Sequence, residues 1–531
     1  MTKRAARQGI LGVIYLFLLG SFFLAGCERP DPEVTIVATL MPLVDMPPTP
    51  LVTPFGGTAV TNPASNQSAN TAPTPIPLPT LPTYAGVPTP DSPHQASNGE
   101  AQPFITHYVN AGETLGYIAQ LYGSSIAELQ EANQMGSSDL LYVGQELLVP
   151  SQAALVSPDF KIIPDSELVY GPAAADFDVR EFVARYQGYL LNYQEEVEGQ
   201  LLDGPGVVSL VANRYSVNPR LLLAVLEYRA GWVTQPAVAD ASFAMGYFKP
   251  NRAELYWQLS WVADLLNWGY YGRSEGGITS VLLGDGSRVA FAPTLNDGTT
   301  GVQAMLGAGD NVTYDAWLQA VGPNGLFATY GRLFGNPFAY TIDPLIPQGL
   351  QQPTLRLPWD SAETWYFTGG PHGGWDTGSA WAALDFVPAG DQLGCVLSDD
   401  WVTAVSDGMV TRSNFGAVVV DMDGDGYAGT GWVILYMHIE SRDRIPVGTL
   451  VQAGDRIGHP SCEGGFSNGT HVHVARMFNG RWIAADGARP FEMGGWVSQG
   501  LGREYDGQLL RGGVTKEACE CREEINAIPG N

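Results

Sequence analysis

The chain has 531 residues, too many for one hydrophobic core, and length alone favours about three or four domains of roughly 100–200 residues each. Its 27 Lys and Arg stand against 54 Asp and Glu, a formal net charge of −27 that argues against nucleic acid as a partner, because phosphate neutralisation needs a basic footprint. Only 15% of residues are charged, while Gly (64) and Pro (38) are abundant, which suits Gly-rich β structure joined by Pro-rich tethers.

At the N-terminus, Lys3, Arg4 and Arg7 precede an apolar run from Ile10 to Leu24 and then Leu24-Ala25-Gly26-Cys27. A basic start, a short apolar stretch and small residues before a cut site describe a secretory signal, and the run is slightly short for a membrane span. Residues 1–27 resemble a bacterial lipoprotein signal. The resemblance implies cleavage before Cys27, lipidation of its thiol, and an extracytoplasmic protein held on the bacterial cell envelope by a lipid anchor and not by a helix. Residues 28–103 hold 17 of the 38 prolines, a single basic residue (Arg29) and no apolar periodicity. They read as a disordered linker with a random-coil span of roughly 50 Å.

Residues 104–150 change character. A short strand around His107-Tyr108-Val109 leads to a helix capped at Glu113-Thr114, with Leu115, Ile118, Ala119 and Tyr122 at three- and four-residue spacing. A second helix carries Ile126, Leu129 and Ala132, and a strand from Glu146 to Val149 closes the unit. The segment resembles a LysM module, which implies a βααβ fold that binds the N-acetylglucosamine-containing glycan of peptidoglycan.

Residues 176–345 read as mostly α and rich in Trp and Tyr. Asn218 can cap a helix with Pro219 at its first position, and Glu227 ends two apolar turns. A carboxylic acid against an apolar wall has a raised pKa, which suits a general acid. With Ala244-Met245-Gly246 and Asn296-Asp297-Gly298 further on, the order of features resembles lysozyme-like lytic transglycosylases, and implies Glu227 as the acid that protonates a glycosidic oxygen. Tyr228 and Phe248 depart from the Ser and Gln of that pattern.

Five of the seven histidines fall between His372 and His473, in a Gly-rich region of short alternating strands: Val402–Val405, Ala417–Val420 and Trp432–Met437. In a strand, His471 and His473 project to one face while Val472 and Val474 pack behind. Trp381–Val387 is also strand-like and carries Asp385 in an apolar run, where a lone carboxylate is costly unless paired or bound to metal. Two imidazoles and a carboxylate leave an open position on a tetrahedral ion, the pattern of a catalytic zinc. Gly369-Gly370-Pro371-His372, Ala383-Leu384-Asp385-Phe386, Tyr436-Met437-His438, Gly454-Asp455-Arg456-Ile457-Gly458 and Gly469-Thr470-His471-Val472-His473 occur in order. Residues 355–490 thereby resemble a lysostaphin-type (β-lytic) zinc metalloendopeptidase with an antiparallel β-sheet. The resemblance implies His372, Asp385 and His473 as zinc ligands and His438 and His471 as catalytic histidines. Asp376, in the compact His372-Gly373-Gly374-Trp375-Asp376 spacing, is the alternative carboxylate; Asp385 is preferred for its strand context. Residues 491–531 read as a C-terminal extension.

Four cysteines remain after Cys27. Cys395 and Cys462 lie in one domain and could bridge, Cys519 and Cys521 could pair with each other, and the sequence leaves the pairing open. Asp421-Met422-Asp423-Gly424-Asp425 resembles half of a calcium loop, but the twelfth position is Trp432 and not a bidentate Glu, so a hairpin turn is the favoured reading over a calcium site. His459 reads as structural. The expected whole is a lipid-anchored peptidoglycan hydrolase that cuts wall peptides. Its rivals are glycan cleavage by the middle domain, as a transglycosylase or muramidase, and a non-catalytic wall-binding or activator lipoprotein.

Overall fold

A computed structural model describes residues 104–530, apart from 110–112, 123, 136–139, 143, 151–154, 277, 310 and 391–393. The signal segment, the lipidation site Cys27 and the linker lie outside the described residues. Among the described residues no helix is long and apolar enough to cross a membrane.

Strands β1 (Phe104–Tyr108) and β2 (Glu146–Pro150) pair antiparallel around helices α1 (Leu115–Leu121) and α2 (Ile126–Ala132), the βααβ order expected. Leu115, Ile118, Leu129, Leu147 and Val149 form a small core of its own. Ser125 and Glu128 close a reciprocal capping box on α2. Asn133 ties α2 to β2, its amide donating to Leu148 O and its Oδ1 accepting from Leu148 N.

The helical body is built on α3 (Gly204–Tyr215), α4 (Pro219–Ala230), α5 (Leu255–Tyr271), α6 (Asp297–Gly307) and α7 (Leu326–Phe334). Asn218 caps α4 through Arg220 N, with Pro219 in the first turn as its sequence foretold. A buried Arg220–Glu167 ion pair with the Tyr330 hydroxyl anchors α4 to α7.

The C-terminal region forms a nine-stranded antiparallel sheet. Eight of its nine strands are β3 (Thr364–His372), β4 (Ala383–Val387), β5 (Gly408–Asn414), β6 (Ala417–Asp421), β7 (Trp432–Met437), β8 (Leu450–Val451), β9 (Val472–Phe478) and β10 (Arg481–Trp482). Beyond them come β11 (Glu492–Met493), β12 (Trp496–Gly500), β13 (Gly507–Arg511), β14 (Val514–Glu517) and β15 (Ala527–Pro529). The spatial order is β8-β5-β6-β7-β9-β4-β3-β15, with β10 on β9, while β11 to β14 make a second small sheet. Residues 491–530 build into this frame: β15 pairs with β3, and Phe491, Met493, Trp496, Leu509 and Ile528 sit in the sheet's core.

The two faces of the main sheet close against different partners. Leu384, Phe386, Val418, Val420, Ile434, Tyr436, Val472 and Val474 face a core built within the C-terminal region. Ala383, Ala417, Val419, Val433, Leu435, Met437, Ala475 and Met477 join one continuous apolar cluster with Tyr215, Leu266 and Tyr271 of the helical body. Hydrogen bonds cross the same boundary, from Trp482 N to the Tyr271 hydroxyl, from Tyr427 OH to Gly171 O, and from Ser216 Oγ to Gly480 O. The middle and C-terminal regions thus share one apolar cluster.

Candidate metal centre

Strand register brings the expected ligands together. His473 on β9 pairs directly with Asp385 on β4 and, on its other side, with Met437 on β7. Gly369 on β3 faces Asp385 across two register shifts, and His372 ends that strand. A Cβ on Gly369 would stand 2.6 Å from Asp385 Oδ2, so glycine there leaves the carboxylate its room. The result is one cluster in which ligand-type atoms of His372, Asp385 and His473 all lie within 4.8 Å of one another, and all three residues are buried. Asp385 Oδ1 is 3.3 Å from His372 Nε2, 3.2 Å from His473 Nδ1 and 3.7 Å from His471 Nε2.

Backbone carbonyls fix which nitrogen of each imidazole points inward, since a carbonyl oxygen can only accept. His372 Nδ1 donates to Gly370 O, His473 Nε2 to Gly374 O, His438 Nδ1 to Glu463 O and His471 Nδ1 to Gly469 O. Each ring therefore turns its other, lone-pair nitrogen free of these carbonyls, the orientation a metal ligand or a proton acceptor requires. His438, just past β7, has φ +62°, a left-handed backbone rarely taken by non-glycine residues. It is held there by Ser461, whose N–H and hydroxyl both donate to His438 O.

The electrostatics follow from burial and crowding. Burial opposes charge on Asp385, but the surrounding histidines, His372 and His471 first, hold its carboxyl well below the usual carboxylate range. Burial also opposes protonation of His372, yet Asp385 outweighs it and raises this imidazole. His438 is pushed well down, by burial first and then by His471 and His473, and His473 is lowered chiefly by burial. Asp385 Oδ1 lacks a hydrogen-bond donor despite its burial, an orphaned anionic atom facing lone-pair nitrogens. A divalent cation satisfies that set, so the residues fit zinc.

Asp376, the alternative carboxylate, lies outside the cluster. With φ +57° it turns into the boundary with the helical body, where it accepts the Tyr215 hydroxyl at 2.9 Å. Beside it Asp264 on α5 accepts from Gly378 N at 2.6 Å and Thr377 Oγ1 at 3.2 Å. Burial first, and the Asp376 charge second, push the Asp264 carboxyl up to about 8.

One site feature had no sequence signal. Tyr505, from the C-terminal region, stacks on His372 with ring centroids 4.2 Å apart, its N–H donating to Pro371 O. The Cys395–Cys462 disulfide is formed, as is Cys519–Cys521. The first joins the strip beside Thr470 to the Ser461–Glu463 segment that orients His438. His459 donates to Asp400 O, and its ring lies tilted against Trp401, centroids 3.9 Å apart.

Glu227, the acid that the resemblance implies, lies in the last turns of α4. Its carboxylate accepts Val233 N, Thr234 N and the Thr234 hydroxyl at 2.6–3.1 Å, tying down the turn that follows α4. Gln258 braces the Met245-Gly246 turn, and Asn296 is bound to Asp165, so those motif residues are also spent on local structure. Asp421, Asp423 and Asp425 lie within 4.8 Å of one another in the β6–β7 hairpin, each accepting N–H groups of the same loop, and Trp432 is the first residue of β7.

Residues 107–150 match the LysM domain, and residues 161–347 match the "LasA, N-terminal domain" family. Protease LasA of Pseudomonas aeruginosa is 23% identical over 361 residues, which cover 65% of this chain and 78% of the relative. The chain is similar to LasA over that span and carries a LysM domain. It resembles the lysostaphin-type zinc metalloendopeptidases, and over the helical region the LasA-like match falls where lysozyme-like structure was expected. The N-acetylmuramoyl-L-alanine amidase XlyA of Bacillus subtilis is 38% identical over 60 residues, 11% of this LasA-like chain and 20% of the amidase. Among solved structures, the deep-sea metalloprotease pseudoalterin is 26% identical with a TM-score of 0.27, covering 32% of this chain and 96% of its own.

Proposed function

We propose that the chain is a zinc-dependent endopeptidase that cleaves peptide cross-links of peptidoglycan outside the cytoplasm, held on glycan by its LysM domain and on the membrane by lipid at Cys27. The observation that carries this reading is the convergence of His372, Asp385 and His473 beside two further histidines with inward-facing nitrogens. Bound by those three residues, zinc would supply Lewis acidity to a water and to the scissile carbonyl. His438, kept neutral by burial and by its histidine neighbours, is suited to accept the water proton at Nε2. His471 Nε2 lies 3.7 Å from Asp385 Oδ1 and, once this ring has taken up a proton, is placed to donate toward the developing oxyanion or the leaving amine. Tyr505 covers His372 and narrows access of bulk water to that ligand.

The test is digestion of purified sacculi by the zinc-loaded and the metal-stripped protein, with products read by mass spectrometry. New peptide termini that appear only with zinc support the reading. Anhydro-sugar or reducing ends in place of peptide termini would move the activity to the helical body, and intact sacculi would make the chain a wall-binding protein.

A further inference from the structure

Arg412 on β5 is opposite Val419 on β6 and so lies on the face of the sheet that carries Ala475, Met477 and His473. Three strand spacings separate β5 from β9, roughly 14 Å. No carboxylate pairs with Arg412: among the described residues its side chain has no hydrogen bond or ion pair, and Nε is shut off from solvent without a partner. Its closest charged neighbour is another cation, Arg214 of α3, whose own counter-charge, Glu198, is already bound at 2.8 Å. Both guanidinium groups lie against the Trp375 ring, at 5.2 Å and 5.5 Å from its centroid. Burial first, and Arg214 second, bring the Arg412 guanidinium down to about 9.

Arg412 is half-buried with its Nε shut off from solvent, and a partly desolvated cation without a counter-charge is costly. Arg412 lines a cavity of ≈ 120 Å³ between the sheet and the helical body, with Thr411, Asn213, Tyr170 and Trp482 around it. None of the residues lining this cavity is acidic. The space is that of a few waters or of one small oxyanion. Guanidinium presents a planar fork of donors suited to bidentate carboxylate or phosphate oxygens, and the Tyr170 hydroxyl and the second amide proton of Asn213, whose first goes to Ser209 O, can add to the shell.

We propose that this cavity is a binding site for a small oxyanion, a carboxylate or phosphate group held by Arg412, lying on the metal-bearing face of the sheet and apart from the metal centre. A free ion and the carboxyl terminus of a short peptide share this chemistry.

The test is thermal unfolding of the full chain, metal-stripped so that the histidine cluster holds no zinc, titrated at constant ionic strength with inorganic phosphate, acetate and chloride. Wild type should gain roughly 3 °C in Tm with phosphate or acetate over chloride, and Arg412→Gln should show no such gain. With no oxyanion present, Arg412→Gln should melt no lower than wild type, because it removes an unpaired cation. A short peptide with a free carboxyl terminus that stabilises wild type, while its amidated form does not, identifies a peptide end as occupant; phosphate or acetate alone identifies a free ion. Equal response of wild type and Arg412→Gln, or no response above chloride, overturns the proposal. If Arg412→Gln does not fold, Asn213→Ala combined with Tyr170→Phe serves instead, and an unchanged oxyanion response in that variant overturns it.

Discussion

Substituting Asp264 with Asn tests the boundary between the helical body and the metal-binding loop. The Asp264 carboxyl accepts two hydrogen bonds from Thr377 and Gly378 and faces Asp376, with Glu504 adding a weaker like charge. Its pKa is pushed up to about 8, while in the unfolded chain it returns to the ordinary carboxylate range near 4. Between those values the folded protein keeps a proton that the unfolded chain has lost. The stability this proton contributes is full below the unfolded pKa and is lost as pH rises through the folded one. One such proton gives a slope of about 1.4 kcal/mol per pH unit, so from pH 5 to 7 wild type should lose up to about 2.7 kcal/mol that Asp264→Asn does not. Water reaches part of the pair, which sets the working range at about 1–3 kcal/mol. Asn keeps the acceptor for Thr377 and Gly378 and offers Asp376 a donor. Urea unfolding of both proteins across this pH range, at equal metal loading, cancels the histidine contributions they share. A stability difference that stays constant with pH would refute the reasoning.

Metal analysis after gel filtration should find zinc lost from His372→Ala, Asp385→Ala and His473→Ala but retained by His438→Ala and Asp376→Ala. Replacing Cys395 and Cys462 together by Ser opens a loop with a sequence separation of 67 residues and should cost about 4 kcal/mol in chemical denaturation. The same pair should retain zinc yet hydrolyse wall peptides more slowly, because the Glu463 carbonyl that aims His438 rides on the freed segment. A Cβ at Gly378 would lie 2.1 Å from Asp264 O, so Gly378→Ala should lower Tm by several degrees and expose Trp fluorescence at the boundary. A fragment spanning 104–150 should sediment with insoluble peptidoglycan without cutting it; a fragment left in the supernatant would make the module a spacer.

The metal centre was legible because its signals are local. His-x-His two apart on a strand and a lone Asp in an apolar run each demand an explanation, and the register supplies one by pairing His473 with Asp385. LysM was legible for the same reason, with caps and periodicity inside fewer than fifty residues. Glu227 stays ambiguous in sequence because an acid at the end of an apolar helix reads alike whether it serves a cleft or ties a turn, and the donors it meets, Val233 and Thr234, act through backbone and hydroxyl. Tyr505 and the Asp264–Asp376 contact depend on folding across long separations and leave no spacing to read. The fused core did leave a trace: Trp432–Met437 is apolar at every position, and all six residues are buried. A strand without alternation is covered on both faces, which a sheet with one solvated side would not need.

That double covering constrains how the chain can be divided. Val419, Val433, Leu435, Ala475 and Met477 lie against helices encoded more than a hundred residues upstream. A fragment beginning near residue 355 would turn this aliphatic strip toward water, directly beside the clustered histidines, and the helical fragment would bare the matching surface. Each half would carry a ready-made adhesive patch for other apolar molecules, including its own copies. For this chain, trimming to the smallest unit that holds all five site residues is a recipe for aggregation, and the practical minimum for handling the metal centre begins upstream of the helices.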